Sequence, residues 1–358
     1  MEPSSSLTNA LFGKPSTTSS SSLFAARDTD VAPSAPQPSV VPTKRSSSTQ
    51  DDGEDTPPQP PPRERVLTRR QVRSKAPIIH QQLTLVNDDK DPEDVFGQEI
   101  SSVVKLCGLA VVQNAIDPSI LDSLAHEADA TRTKICQALK ARELSWNDSS
   151  NNEKTVRFYE LAVRCQGRMD VRYNNSDNKK EPFWKNHSLL NSIVSHLLYG
   201  GESQELQPQL VYAGWIFSFP DSKDQPWHQD GIPLFPSTET VIALPTYAIN
   251  VFIPLDDATL ETGPTEFVPF SHRQTPAQAM EHIEKSDNND SDNNLVNPLP
   301  RRGDILIYDY RICHRGTANL DKKKVRTVLY LMYARPWFRE HVNFGTERLF
   351  PTMEQQDS

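Results

Sequence analysis

The sequence predicts a mainly β domain with flanking helices, preceded by a disordered N-terminal tail. From about residue 208 onward, apolar segments with a period of two alternate with turn residues, a pattern that favours a β-sandwich or barrel. Between residues 92 and 199, apolar residues recur with the helical period. The first 62 residues contain 11 of the 29 prolines and only two aromatic residues, which is too little apolar surface for a core.

These composition shifts divide the chain into three parts. We expect a disordered Ser/Pro-rich tail with a basic linker at 1–76, one folded domain at 77–345 and a C-terminal tail at 346–358. Residues 3–27 contain no acidic residue and are rich in serine and threonine, which fits import into a plastid or mitochondrion and equally fits a plain flexible tail. The default expectation is a cytoplasmic protein, with organellar import as the alternative.

Charge and composition exclude several classes of function. The chain carries 38 basic and 47 acidic residues, for a net charge of −9. Residues 1–76 hold 10 basic and 8 acidic residues, so the remainder carries −11, which argues against a nucleic-acid partner. No apolar run approaches 18 residues, so no membrane span is expected. The four cysteines are widely spaced without a CxxC motif, as is typical of free thiols in a reducing compartment.

Three helices are predicted ahead of most of the strands, at 92–106, from 118 to about 139 and at 187–199. Asp117 suits the N-cap of the second helix, and Gly200 ends the third. Strands are predicted at 109–112, 209–219, 247–255, 265–269, 304–310 and 325–333. The segment at 286–294 is almost entirely Asp, Asn and Ser, which predicts a mobile surface insertion.

A candidate metal site lies among these strands. His228 and Asp230 are two residues apart, so on an extended strand their side chains point to the same face. His314 follows the predicted strand at 304–310. Two histidines and one carboxylate leave three open positions on an octahedral ion, an arrangement typical of non-haem Fe(II) oxygenases.

Arg326 extends this site. It lies 12 residues beyond His314, on a strand face that it shares with Val328 and Tyr330. A guanidinium on an otherwise apolar interior face needs a partner, and a carboxylate matches its planar fork. A 2-oxo acid could chelate the metal through its C1 carboxylate and keto oxygen while Arg326 binds its distal carboxylate. The pattern therefore indicates one site for a metal and a 2-oxo acid.

Several segments carry motifs in a fixed order. They read Gln-Pro-Trp-His-Gln-Asp-Gly at 225–231, Leu-Asp-Asp at 255–257, Gly-Pro-Thr-Glu-Phe-Val-Pro-Phe-Ser-His at 263–272, Gly-Asp-Ile-Leu at 303–306, Tyr-Asp-Tyr-Arg-Ile-Cys-His-Arg-Gly at 308–316, and the strand and its end at 325–338. Together they resemble the phytanoyl-CoA dioxygenase family of Fe(II)- and 2-oxoglutarate-dependent oxygenases over roughly residues 83–340. The resemblance implies a double-stranded β-helix core, which is a cupin-like jelly roll, with helices packed outside.

The resemblance also implies an activity and roles for single residues. Fe(II) would be bound by His228, Asp230 and His314, and the cosubstrate 2-oxoglutarate by Arg326. The implied reaction is hydroxylation of a small organic molecule, with consumption of O₂ and release of succinate and CO₂. The alternatives are a catalytically silent binding module, or a desaturase, cyclase or protein hydroxylase that uses the same iron site.

Other polar and aromatic residues near these motifs are candidates for either a pocket role or a structural role. Gln225 and Asn250 are candidate contacts to the cosubstrate, although Gln225 could instead close the turn after Pro220. Arg168 and Asp170 are expected to form structural pairs rather than border the pocket entrance. Tyr308 and Tyr310 share one strand face, which is directed either to the pocket or to the core.

Overall fold

The computed structural model describes residues 83–86, 93–146, 156–173, 181–201, 209–231, 234, 244–288, 295–340 and 344–350. The tail and basic linker predicted at 1–76, with the transit-peptide alternative, lie outside these ranges. The described residues all belong to one unit of the chain, residues 62–358. Within the described ranges, no helix combines the length and the apolar character that crossing a membrane requires.

The α-helices are α1 (Glu93–Cys107), α2 (Pro118–Ala141), α3 (Ser188–Tyr199) and α4 (Pro276–Asn288). The first three confirm the helices predicted from the apolar pattern. Asp117 caps α2, because its carboxylate accepts a hydrogen bond from the backbone N–H of Ser119 at 2.8 Å. Gly200 ends α3 in the left-handed conformation, with φ 77°. The start of the insertion predicted at 286–294 is helical in α4, and residues 289–294 lie outside the described ranges.

The strands of the described residues are β1 (Thr84–Val86), β2 (Leu109–Gln113), β3 (Leu161–Cys165), β4 (Arg168–Arg172), β5 (Gln209–Ser218), β6 (Ala248–Pro254), β7 (Thr265–Phe267), β8 (Ile305–Asp309), β9 (His314–Gly316) and β10 (Arg326–Ala334). Eight of them form a main sheet in the order β1-β2-β8-β6-β10-β5-β4-β3, and β7 pairs with β9 in a second sheet. The predicted fold class, a mainly β jelly roll with flanking helices, is confirmed.

The hydrophobic core lies between the main sheet and the helices. Because side chains alternate along a strand, Leu329 and Leu331 of β10 pack into this core with residues of α1, α2 and α3. Burying each such side chain contributes about 1.5–3 kcal/mol. The intervening residues Arg326, Val328 and Tyr330 face the opposite side, where a cavity lies against the second sheet. The helices therefore cover one face of the sheet, and the other face is available for a site.

Two parts of the fold differ from the predicted organisation. The sequence pattern does not predict the antiparallel hairpin of β3 and β4, which extends the main sheet beyond β5. Residues 346–350, expected in a C-terminal tail, contact the domain: Tyr159 N donates to Glu347 O at 2.6 Å, and the Leu349 side chain is buried. The folded domain therefore extends at least to residue 350.

Candidate metal centre

His228, Asp230 and His314 come together in the lining of one cavity. The backbone of His228 pairs with that of His314 in both directions, with N–O distances of 3.0 and 2.9 Å. Asp230 Oδ1 lies 3.7 Å from His228 Nε2 and 3.6 Å from His314 Nε2. The three candidate ligand atoms all lie within 4.8 Å of one another. The structure thus brings the predicted group together with a spacing that a divalent ion can bridge.

The two imidazoles are oriented through their other nitrogens. His228 Nδ1 lies 2.8 Å from Pro226 O, and His314 Nδ1 lies 3.0 Å from Ile312 O. Because a carbonyl only accepts hydrogen bonds, each Nδ1 carries the proton and each Nε2 keeps its lone pair. Burial lowers the pKa of His314, which further favours the neutral imidazole that metals bind.

The carboxylate of Asp230 is held through its second oxygen. Asp230 Oδ2 accepts hydrogen bonds from Asn250 Nδ2 at 2.6 Å and from the Tyr308 hydroxyl at 3.4 Å. Oδ1 therefore remains directed at the two histidines as a single donor atom. Asn250 positions Asp230 through this contact and also lines the cavity, and its expected contact to the cosubstrate stays a prediction.

Gln225 also has a protein partner. Its side-chain Oε1 accepts a hydrogen bond from Gly316 N at 3.0 Å, and its backbone N donates to Gly316 O at 2.9 Å. Gln225 therefore links its loop to β9, and its expected contact to the cosubstrate stays a prediction. Its side chain still lines the cavity.

Arg326 lies inside a cavity of about 430 Å³ that also contains the three candidate ligands. Its side chain is buried, Nη2 donates to Ser218 Oγ at 3.0 Å, and Nε has no hydrogen-bond partner in the described ranges. Within the described residues, no carboxylate forms an ion pair with it. Burial, and then the positive charge of Arg168, hold the pKa of Arg326 well below its usual range. The described residues therefore supply no carboxylate for Arg326, and its expected cosubstrate contact stays a prediction.

The hairpin of β3 and β4 supplies site residues that sequence reasoning placed elsewhere. Asp170 pairs with Arg164 rather than Arg168, with Nε–Oδ2 3.1 Å, and accepts a hydrogen bond from the Tyr330 hydroxyl at 2.8 Å. Arg164, Arg168, Asp170 and Tyr330 all line the cavity. A signal was available, since two short apolar-alternating runs flank the Gln166-Gly167 turn.

Of the other predicted residues near the site, the two tyrosines line the cavity, whereas Trp227 and Cys313 pack outside it. Tyr308 and Tyr310 are buried and also line the cavity, and the Tyr310 hydroxyl donates to Asp230 O at 3.1 Å. Trp227 packs under Arg315, whose guanidinium carbon lies 4.6 Å from the ring centroid. Cys313 is buried in a separate apolar cluster, where burial raises the pKa of its thiol to about 11. A packing role thus accounts for Cys313.

The chain is similar in sequence and fold to several known proteins. A model of the phytanoyl-CoA dioxygenase family matches residues 105–328. The uncharacterized proteins Mb1539 of Mycobacterium bovis and Rv1501 of Mycobacterium tuberculosis are each 27% identical over 247 residues, which cover 69% of this chain and 78% of the relative. The crystal structure of AviO1 from Streptomyces viridochromogenes Tue57 aligns with a TM-score of 0.43 and 17% identity, over 68% of this chain and 96% of that one. The family match spans all three candidate ligands and Arg326.

Proposed function

The chain belongs to the phytanoyl-CoA dioxygenase family, and from this we propose that it is an Fe(II)- and 2-oxoglutarate-dependent dioxygenase that hydroxylates a small organic molecule. The observation that carries the proposal is the cluster of His228, Asp230 and His314 in one cavity with a buried Arg326 that lacks an acidic partner in the described part of the chain. A metal alone would not explain the arginine, and an anion alone would not explain the three ligands.

The donor set fits iron. His228 and His314 offer imidazole Nε2 atoms and Asp230 offers Oδ1, which is the two-histidine, one-carboxylate set of non-haem Fe(II) oxygenases. Bound Fe(II) would supply the activation of O₂, with 2-oxoglutarate oxidised to succinate and CO₂. The backbone carbonyls of Pro226 and Ile312 keep both imidazoles in the ligating tautomer.

The arginine fits the cosubstrate. Arg326 would bind the distal carboxylate of 2-oxoglutarate through charge-assisted hydrogen bonds from its guanidinium, since no carboxylate among the described residues pairs with it. Such a contact would relieve the cost of a buried unpaired charge. Binding the cosubstrate at its far end would also orient its keto-acid end toward the histidines, because both lie in the same cavity.

The rest of the cavity fits a small substrate. Its volume of about 430 Å³ is within the usual range of small-molecule sites, about 300–1,000 Å³. Ile216, Phe252 and Val328 give it apolar walls, and Arg164 and Tyr330 add polar groups. The apolar walls would exclude water near the reacting atoms, and the polar groups would orient the substrate.

Succinate formation tests the proposal. Purified full-length protein with Fe(II), 2-oxoglutarate and O₂ should form succinate, and a screen of small metabolites should find compounds that accelerate it. His228→Ala should abolish the activity, whereas His126→Ala, on an exposed position of α2, should retain it. Absence of succinate above background in the presence of every compound, with no difference between wild type and His228→Ala, would contradict the enzyme proposal and favour a silent binding module.

A further inference from the structure

A second buried arginine stands beside Arg326 on the main sheet. In the strand register, Arg168 of β4 and Arg326 of β10 both pair with Ser218 of β5. Residues that pair directly across strands share one face, so the three form a row across neighbouring strands. We refer to Arg168, Ser218 and Arg326 as the arginine row. Arg168 and Arg326 both line the cavity.

The arginine row has more donors than the described residues satisfy. Arg168 and Arg326 are 2% and 7% exposed. Arg168 Nη2 donates to Thr317 O at 2.8 Å, and Arg326 Nη2 donates to Ser218 Oγ at 3.0 Å, so each has a neutral acceptor. The Nε of each is buried and has no hydrogen-bond partner in the described part of the chain. Among the described residues neither arginine forms an ion pair, although two like charges buried together strongly favour an anion.

A glycine makes room for this arrangement. A Cβ at Gly316 would collide with Arg168 Nη1 and would lie 2.6 Å from Gln225 Oε1. Any other residue at position 316 would therefore displace the Arg168 guanidinium and the end of the Gln225 side chain. Because Gly316 is two residues beyond His314 on β9, the guanidinium of Arg168 passes beside the strand that carries a candidate metal ligand.

We propose that Arg168 is a second anion-binding residue of the cavity, and that Arg168 and Arg326 together bind the distal carboxylate of a dicarboxylate. This inference rests on the proposed function in taking 2-oxoglutarate as the natural dicarboxylate. Two guanidinium groups on two different strands would both donate hydrogen bonds to one carboxylate. They would fix the position of that carboxylate more tightly than one arginine does. The arginine row therefore selects 2-oxo acids with a second carboxylate over those with an uncharged tail.

A purely structural role for Arg168 is the competing explanation. Its hydrogen bond to Thr317 O links the main sheet to the segment that follows β9. A residue that only links these segments would affect folding stability without changing the affinity for an anion. Binding and stability must therefore be measured on the same variants.

Glutarate is a suitable probe, because it has both carboxylates of the cosubstrate but no keto group to chelate a metal. Calorimetric titration of the metal-free full-length protein should show glutarate binding. Arg168→Met should weaken it by about tenfold or more, the usual effect of losing a charged hydrogen-bond donor, as should Arg326→Met. Arg168→Lys should recover part of the affinity. Arg172→Met is a matched control, since Arg172 lies four residues along β4 and packs on the rings of Tyr212 and Phe344.

Three results would overturn the proposal. The first is wild-type protein that does not bind glutarate, and the second is Arg168→Met that binds it within twofold of wild type while its melting temperature falls. Equal weakening by Arg172→Met and Arg168→Met would also overturn it, since that reflects general charge. The test is separate from that of the proposed function. Arg168-dependent glutarate binding without succinate formation would support the arginine row and contradict the oxygenase, and succinate formation with Arg168-independent binding would do the reverse.

Discussion

The atoms of His228, Asp230 and His314 that face away from the candidate metal position each have a partner in the fold. The two Nδ1 atoms donate to backbone carbonyls, and Asp230 Oδ2 accepts from Asn250 and Tyr308. These contacts set the tautomers and the carboxylate rotation, so the ligand atoms are aimed before an ion binds. Residues that never touch the metal should therefore affect its affinity.

Asn250 gives the most direct test of this expectation. Asn250→Leu keeps the size of the side chain but removes the 2.6 Å hydrogen bond to Asp230 Oδ2. We expect Mn(II) affinity, measured by calorimetry, to fall about 10- to 100-fold, the usual effect of losing a partner of a metal ligand. The control is Asn297→Leu, since Asn297 is equally buried but donates to Glu266. Unchanged Mn(II) affinity in Asn250→Leu would contradict the positioning role.

A second residue-level prediction concerns pH. Burial lowers the pKa of His272 below its ordinary value of 6.5, and its Nε2 lies 3.2 Å from Lys105 O. Below that ordinary pKa the unfolded state binds a proton that the folded state resists, so stability falls with decreasing pH. Urea unfolding between about pH 7 and pH 5 should show a shallower fall for His272→Gln than for wild type. The same slope in His272→Gln and wild type would contradict this prediction.

Among the elements, those with a simple apolar period were predictable and those that carry the site were less so. The pattern around β10 and the capped helix α2 predicts both elements to within a few residues. The hairpin of β3 and β4 is harder to predict, because each strand has only five residues and Arg164, Arg168, Asp170 and Arg172 leave it few apolar positions. Several of those polar residues line the cavity, so the feature that conceals the strands is part of the candidate site.

The register between strands also lies beyond the reach of local pattern. The row of Arg168, Ser218 and Arg326 depends on pairings between residues that are 50 and 108 positions apart. The candidate ligands are predictable from the sequence because His-x-Asp and a later histidine form a recognisable order. Arg326 is predictable from the pattern of its own strand. Its neighbour Arg168 is not, since nothing local to either residue specifies that the two strands lie close together.

The C-terminal segment gives a prediction at the level of elements. Leu349 is 2% exposed and belongs to the main core cluster, although the sequence suggests that it lies in a tail. Leu349→Ala should lower the free energy of unfolding by about 2–5 kcal/mol, as expected for a buried leucine. Leu320→Ala, at a position that is 58% exposed, should change it by less than about 0.5 kcal/mol. Equal effects of the two substitutions on the free energy of unfolding in urea would show that residues 346–350 do not contribute to the core.

For the whole molecule, the unpaired charges of the cavity link folding to ligand binding. Without ligand, Arg326→Met should be at least as stable as wild type, because it removes a buried charge that has no acidic partner among the described residues. With Mn(II) and 2-oxoglutarate at about 100 times its dissociation constant, wild type should gain about 2.7 kcal/mol. Thermal unfolding should show no comparable gain for the variant at the same concentrations. A variant that is destabilised without ligand and stabilised equally with it would contradict this coupling.

The three residues of β9 have a consequence for how this cavity can change in evolution. His314 supplies a candidate ligand, Arg315 pairs with the buried Glu266 at 2.7 Å, and Gly316 leaves the space that Arg168 fills. An insertion or deletion of one residue here would move all three functions at once, because adjacent strand residues face opposite sides. New substrate preferences should therefore arise through residues elsewhere on the cavity wall, while this strand is inherited as a single block.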